Sequence, residues 1–151
     1  MNIIERTALA GAAAAALTVS ANAGQVNTGY FGKVAIEGYD TVAYFTDNKA
    51  MKGSEKFAYD WLGATWYFAS PAHRELFVSS PISYAPQYGG FCADGMSDGK
   101  GHAQTNIVPT TFQIVNGKLY LTAAAQFMNP PLSREVGDKN WKRIEGELLS
   151  Q

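Results

Sequence analysis

The stretch "FAYDWLGATWYFASPAHRELFVSSP", Phe57 to Pro81, decides the fold class because it predicts a hairpin followed directly by a helix. Aromatic and β-branched residues favour strands over Phe57–Trp61 and Thr65–Phe68. Ser70 is a good N-cap, and Pro71 suits the first helical position, where its missing N–H costs nothing. Strands and a helix so close together indicate an α+β domain.

The details of this stretch follow from the same rules. Leu62-Gly63-Ala64 is expected to form the hairpin turn. In the helix, we expect Ala72 and Leu76, together with Phe77 and Val78, to face the core, and Pro81 to end the helix.

A second hairpin and a terminal helix complete the predicted fold. Two alternating runs, Thr111–Val115 and Lys118–Thr122, flank Asn116-Gly117, the preferred pair for a type I′ turn. A helical pattern then covers Ser133 to Leu149. Its buried stripe is expected to be Trp141, Ile144 and Leu148. The sequence thus predicts a small antiparallel sheet with hairpins, packed against a few short helices and a C-terminal helix.

The N-terminus has the pattern of an export signal. Arg6 is followed by a run of small apolar residues and then by Ala21-Asn22-Ala23, which fits the small-residue rule for signal peptidase. We expect residues 1–23 to be a signal peptide, 24–33 a flexible lead-in and 34–151 a single domain. The protein is then periplasmic or secreted, with no membrane contact after cleavage.

Composition excludes some functions and constrains others. The net charge is −1 and the basic residues are scattered, which argues against nucleic acid and anionic lipid as partners. The chain has one cysteine, Cys92, so an internal disulfide is impossible. Eight Tyr, eight Phe and three Trp make a core without disulfides plausible.

Four stretches in order resemble the YHS-domain family, in its exported bacterial branch. They are "IEGYDTVAYF", "WYFASPAHRELFVSSPISYAPQYGGFCA", "IVNGKLYLT" and "NW", and together they extend from about Val34 to Trp141. The resemblance implies a small α+β fold with an antiparallel sheet. It does not imply a defined activity for the exported branch.

Metal-associated relatives in the wider family carry cysteines at three positions of this pattern. Here those positions are Ala43, Ala69 and Ala72, while Thr41 stands where the relatives have proline. An alanine side chain cannot coordinate a metal, so the thiolate site of those relatives is not expected in this chain.

The candidate ligand-binding residues are Tyr39, Asp40, Tyr84, Tyr88 and Cys92, which we expect to line a small pocket. Asp40 has two interpretations: a turn-capping carboxylate that accepts backbone N–H bonds, or a polar anchor at the mouth of that pocket. The other aromatic residues are expected to lie mostly in the core.

A soft-metal site is an alternative. Cys92, Met96 and His102 offer a thiolate, a thioether and an imidazole, which suit Cu(I). Against this, an unpaired Cys and a Met are equally typical of a buried core, here on one face of a short helix in "FCADGM".

A thiol-dependent enzyme or redox protein at Cys92 is the third hypothesis. Its candidate bases are His73, His102 and Asp94. We expect His73 to be a surface residue, and Asp94 to oppose a lowered thiol pKa.

The sequence therefore favours an exported YHS-type binding or accessory module that is not an enzyme, needs no cofactor, and has a small ligand or a protein as its partner.

Overall fold

The computed structural model describes residues 26–30, 32–97, 106–125 and 134–149, and side chains of the last segment as far as 145. The predicted signal peptide and His102 lie outside these residues. Within the described segments, no helix is long and apolar enough to cross a bilayer.

The described elements confirm the predicted α+β fold. In chain order they are α1 (Thr41–Thr46), β1 (Ser54–Trp61), β2 (Ala64–Phe68), α2 (Pro71–Ser79), α3 (Pro81–Tyr84), α4 (Ala93–Ser97), β3 (Phe112–Val115), β4 (Lys118–Leu121) and α5 (Arg134–Leu149). Two 3-10 turns, Ala35–Gly38 and Gln87–Gly90, precede α1 and α4. The strands form two separate antiparallel ribbons, β1–β2 and β3–β4.

Both hairpins close through two-residue turns with a left-handed backbone. Leu62 and Gly63 have φ of 49° and 72°, and Asn116 and Gly117 have φ of 52° and 71°. Positive φ at both central residues is the signature of the type I′ turn, whose twist matches that of the strands. The Asn116-Gly117 turn is confirmed, and the first turn is one residue shorter than predicted because Ala64 belongs to β2.

Helix α2 begins as predicted, but its buried face is different. The Ser70 hydroxyl accepts the His73 N–H at 3.1 Å, which confirms the N-cap. Phe77 is fully buried, whereas Ala72 and Leu76 are exposed, so the prediction for those two residues is wrong. A short helix that touches the hairpin with one large side chain leaves the rest of its surface to solvent.

Pro81 does not only end α2. It is also the first residue of α3, because proline is tolerated at the first helical position, where no N–H is needed. Helix α2 therefore ends near Pro81 as expected, and α3 begins at Pro81 itself.

Two hydrophobic clusters hold the described segments together. The larger contains the following buried residues of the first hairpin, α1, α2 and β4: Val42, Tyr44, Trp66, Phe68, Phe77, Leu119 and Leu121. The smaller contains Tyr88, Phe91, Met96, Tyr120 and Ile144, with Trp141 packed against it. Strand β4 contributes to both, so it connects the two parts of the core.

The predicted lead-in is partly built into this core. Val26 and Asn27 are buried, and the Asn27 N–H donates to the Gly89 carbonyl at 2.8 Å. The Asn27 side-chain amide donates to the Gly90 carbonyl at 3.1 Å. These bonds fix residues 26–27 against the turn that precedes α4.

Helix α5 packs closely over the smaller cluster. Ile144 is buried and Trp141 is half-buried, as predicted, while the Leu148 side chain lies outside the described residues. A Cβ atom at Gly137 would lie 2.6 Å from the Tyr88 hydroxyl. Glycine at this position thus lets the helix backbone approach the Tyr88 ring.

Candidate functional site

A cleft lined by aromatic side chains lies between the first hairpin, the segment from α3 to Gly89, and helix α5. Its volume is about 260 Å³. All three tryptophans of the chain line it, Trp61, Trp66 and Trp141, together with Tyr88 and the 83% exposed Ile82. We call this space the tryptophan cleft.

The first hairpin supplies two of the indoles because its turn separates them by only a few residues. Trp61 ends β1 and Trp66 lies within β2. The Trp66 indole N–H donates to the Trp61 carbonyl at 3.0 Å, and the two ring centroids are 5.7 Å apart. Phe77 packs on both rings, so the indoles are fixed in place by the core.

Two bulky residues with a strained backbone also line the cleft. Leu62 has φ of 49° and Tyr88 has φ of 56°. Side chains of this size rarely adopt a left-handed conformation, and such outliers cluster at binding and catalytic sites. Two such residues therefore lie in the wall of this cleft.

Polar groups of the cleft are few. The Tyr88 hydroxyl donates to Asp138 Oδ1 at 3.0 Å. Burial, reinforced by this hydrogen bond, raises the pKa of Tyr88 above its ordinary value. Among the described residues that line the cleft, Glu145 is the only one with a charged side chain.

The structure places the predicted pocket residues in different surroundings. Tyr88 lines the tryptophan cleft. The Lys52 ammonium lies over the Tyr39 ring, 4.2 Å from the ring centroid. Tyr84 packs edge-on against Phe45. Cys92 is 2% exposed. Of these four residues, Tyr88 alone lines the tryptophan cleft.

Asp40 is fully buried and has the capping role that the sequence indicates. Its Oδ1 accepts the N–H groups of Val42 and Ala43 at 2.9 and 3.3 Å, at the start of α1. Its Oδ2 accepts the Ala69 N–H at 2.8 Å and lies 2.6 Å from His73 Nδ1. The carboxylate therefore joins α1, the end of β2 and helix α2.

His73 is less exposed than the sequence indicates. Its side chain is 17% exposed, and its Nε2 lies 3.5 Å from Asp47 Oδ2 and 3.3 Å from Thr46 Oγ1. The imidazole is thus held between one buried and one exposed carboxylate. A buried Asp that orients a His is also a motif of catalytic sites, but neither Asp40 nor His73 lines the tryptophan cleft.

Two of the three alanines that were compared with the cysteine positions of the YHS pattern lie at this carboxylate. Ala43 and Ala69 each donate a backbone N–H to Asp40, whereas Ala72 is exposed on α2. In the part of the chain that the structure describes, no three His, Cys, Asp or Glu side chains form a group that could hold a metal ion.

Cys92 directly precedes helix α4 and Met96 lies within it, and both side chains are buried. The Cys92 sulfur accepts the Ala123 N–H at 3.2 Å and lies 3.6 Å from the Thr122 hydroxyl. Met96 is 0% exposed within the smaller cluster. These contacts are those of packed core residues, and the third residue of the soft-metal hypothesis, His102, lies outside the described residues.

The tryptophan cleft was not predicted from the sequence, which placed Trp141 in a buried stripe of the C-terminal helix. One local signal was available: Leu62 stands in a type I′ turn position where asparagine or glycine is preferred. The convergence of α5 with the first hairpin is a long-range contact with no local signal. No family model, curated protein or solved structure matched the chain when it was compared with each of these.

Proposed function

We propose that this chain is an exported YHS-type binding module, not an enzyme, and that it binds a small, largely apolar ligand in the tryptophan cleft. One observation carries the proposal: all three tryptophans converge on one cleft of about 260 Å³. Export is supported by the N-terminal sequence pattern, and the family assignment by the four sequence stretches quoted above.

The cleft has the chemistry of a ligand site. Small-molecule pockets are mostly apolar with a few polar groups, and their usual volumes begin at about 300 Å³, so this cleft suits a small ligand. Indole rings offer large contact areas with few rotatable bonds, which keeps the entropic cost of binding low. The core fixes Trp66 fully and Trp61 in part, so these walls are largely preformed.

The two hypotheses that depend on Cys92 receive less support. A thiolate that attacks a substrate or binds copper must be accessible, and Cys92 is 2% exposed with its sulfur engaged by a backbone N–H. The tryptophan cleft, in contrast, opens to solvent beside the exposed Ile82.

The proposal can be tested through the indole N–H resonances of the three tryptophans in heteronuclear NMR spectra. A neutral, water-soluble apolar probe, 3,3-dimethylbutan-1-ol, is titrated to millimolar concentration. We expect saturable shifts of the Trp61 and Trp141 signals. An absence of saturable shifts with this probe and with indole would refute the proposed site.

Two exposed isoleucines provide a matched pair of variants. Ile82→Ala removes apolar area at the cleft and is expected to weaken probe binding about threefold. Ile114→Ala makes the same change on β3, away from the cleft residues, and is expected to leave binding unaltered. Equal effects of the two substitutions would contradict the assignment.

A further inference from the structure

We propose a second binding site, for a divalent metal ion of the Zn²⁺ class, at His73, Asp47 and Thr46. This site goes beyond the proposed function, because none of these residues lines the tryptophan cleft. The proposal is carried by the Asp40 carboxylate on one side of the His73 ring and by the oxygen atoms that face the other side.

Asp40 fixes which nitrogen of His73 can bind a metal ion. Its carboxylate is fully buried, and Oδ2 lies 2.6 Å from His73 Nδ1. A carboxylate accepts hydrogen bonds, so Nδ1 carries the donated proton and Nε2 of the neutral ring keeps its lone pair. Histidines that bind metal ions are commonly held in this way, with a carboxylate or a carbonyl on the other nitrogen. The Asp40 carboxylate therefore orients Nε2 as a metal ligand.

Two oxygen atoms face Nε2 at distances that suit a shared metal ion. Asp47 Oδ2 lies 3.5 Å from Nε2, and Thr46 Oγ1 lies 3.3 Å from it. Zn²⁺ binds nitrogen and oxygen ligands at about 2.0–2.2 Å, which places neighbouring ligands of a tetrahedron about 3.3 Å apart. An ion could therefore bridge Nε2 and these oxygen atoms with little rearrangement of the side chains.

The hydrogen bonding around Nε2 also favours a cation. Nε2 and the Asp47 carboxylate are both acceptors, and they face each other. Among the described residues, the Thr46 hydroxyl contacts both, but it has a single proton and lies closer to Asp47 Oδ2, at 2.7 Å. In the described segments, neither Lys nor Arg forms an ion pair with Asp40 or Asp47. A metal ion between Nε2 and Oδ2 would satisfy both acceptors at once.

The site is accessible and leaves coordination positions for water. Thr46 and Asp47 are exposed at the end of α1, and the His73 side chain is 17% exposed. The protein supplies one His, one Asp and a hydroxyl, which is fewer than the three His, Cys, Asp or Glu ligands of a complete group. Water completes the coordination at such open sites, so binding should be weaker than at a structural zinc site. The imidazole favours Zn²⁺ over Mg²⁺ and Ca²⁺, which prefer oxygen ligands.

Titration of the mature chain, without a histidine tag, with zinc chloride tests the site. Calorimetry measures the affinity and the stoichiometry, and heteronuclear NMR spectra locate the ion. We expect saturable binding of Zn²⁺ with shifts of the amide signals of Thr46, Asp47 and His73, and no saturable shifts with Ca²⁺. If Zn²⁺ produces no saturable shifts of these three signals, the proposal is refuted.

Two matched substitutions assign the ion to the Asp47 carboxylate. Asp47→Asn is expected to weaken Zn²⁺ binding at least about tenfold. Asp60→Asn is the control, because Asp60 is also exposed and also accepts a threonine hydroxyl, that of Thr65 at 2.6 Å. No histidine of the described segments pairs with Asp60, so this change should leave the affinity unaltered. Equal losses in the two variants would indicate general attraction to acidic surface and overturn the proposal.

The two histidines of the chain distinguish this site from the soft-metal hypothesis. His73→Asn is expected to abolish the Zn²⁺-induced shifts near Thr46, and circular dichroism checks that the variant is folded. If it does not fold, Asp47→Asn still decides the matter, because Asp47 is exposed. If His102→Ala abolishes Zn²⁺ binding while Asp47→Asn leaves it intact, the ion binds elsewhere and the proposal is refuted. None of these outcomes affects the tryptophan cleft, whose test uses a neutral probe.

Discussion

The Nδ1 atom of His73 lies 2.6 Å from Oδ2 of Asp40, a carboxylate that is completely buried. Two helices meet at this contact, since Asp40 caps α1 and His73 belongs to the first turn of α2. Three backbone N–H groups complete the coordination of the carboxylate. The pair therefore connects the two helices, and its loss should lower the free energy of unfolding by a measurable amount.

Replacing His73 by alanine should reduce the free energy of unfolding by about 2–3 kcal/mol, because a buried carboxylate loses a charge-assisted partner. His73→Asn should recover part of this loss, since the asparagine amide nitrogen can occupy the position of Nδ1. Urea denaturation followed by circular dichroism measures both values. Asp47→Asn is the control: Asp47 is exposed and 3.5 Å from the same ring, so its loss should cost under about 0.5 kcal/mol. Equal costs for His73→Ala and Asp47→Asn would contradict this interpretation.

Leu62 should contribute more to ligand binding than to stability. In Leu62→Asn, relief of the strain of the left-handed backbone should raise the free energy of unfolding by about 1 kcal/mol. Loss of a half-buried apolar side chain should lower it by a similar amount. The net change in unfolding free energy should therefore stay below about 1 kcal/mol, while affinity for 3,3-dimethylbutan-1-ol falls about threefold. NMR titration and urea denaturation measure the two quantities.

The second hairpin supplies the reverse experiment for this prediction. Asn116→Leu places leucine at the equivalent turn position, where it should destabilise the chain by about 1 kcal/mol and leave probe affinity unchanged. If Leu62→Asn left affinity intact, Leu62 would be no part of the site.

The parts of the fold that the sequence predicted are those specified by neighbouring residues. The Asn116-Gly117 turn and the Ser70-Pro71 helix start depend on backbone preferences over two to four positions, and both are observed. The exposed Leu76 and the buried Phe77 could not be distinguished in this way. Which side of α2 is buried depends on where the first hairpin lies, and that is a tertiary contact.

The candidate site was less predictable for the same reason. The cleft requires Trp141 of α5 to meet Trp61 and Trp66 of the first hairpin, and the sequence contains no local pattern for that approach. Similarly, His73 is paired with a residue from another helix, which a helical pattern alone cannot reveal.

Cys92 should behave as a buried core thiol. Because it is 2% exposed, a thiol reagent should label it far more slowly in the native protein than in urea. Cys92→Ala should cost about 1–2 kcal/mol, since the Ala123 N–H loses its acceptor and a small cavity forms. Mass spectrometry follows the labelling and urea denaturation gives the stability. Rapid labelling of the native protein that persists at pH values well below the ordinary thiol pKa of about 8.5 would instead favour the thiol-dependent hypothesis.

Burial of two tyrosine hydroxyls predicts a loss of stability at alkaline pH. Burial raises the pKa of Tyr44 and Tyr88 above the ordinary value, so their ionised forms are disfavoured in the folded state. For such groups the stabilising contribution is complete below the ordinary pKa of about 10 and is lost as pH rises above it. Urea denaturation at a series of alkaline pH values should show this decline.

Tyr88→Phe should be less stable at neutral pH, because the bond to Asp138 is lost, yet its stability should fall less steeply above pH 10. An identical slope in the parent and the variant would contradict the assignment to Tyr88.

Two fully buried threonines should respond in opposite ways to replacement by valine. The Thr41 hydroxyl has no hydrogen-bond partner in the described part of the chain, whereas the Thr122 hydroxyl donates to Asp94 Oδ2 at 2.5 Å. A buried polar group without a partner costs stability, and valine has nearly the same shape, so Thr41→Val should raise the free energy of unfolding by about 1 kcal/mol. Thr122→Val removes a hydrogen bond to a carboxylate and should lower it by about 2 kcal/mol. Urea denaturation of the two variants under identical conditions measures both changes. Destabilisation by Thr41→Val would show that its hydroxyl does bind a partner in solution, and the argument from an unsatisfied group would then fail.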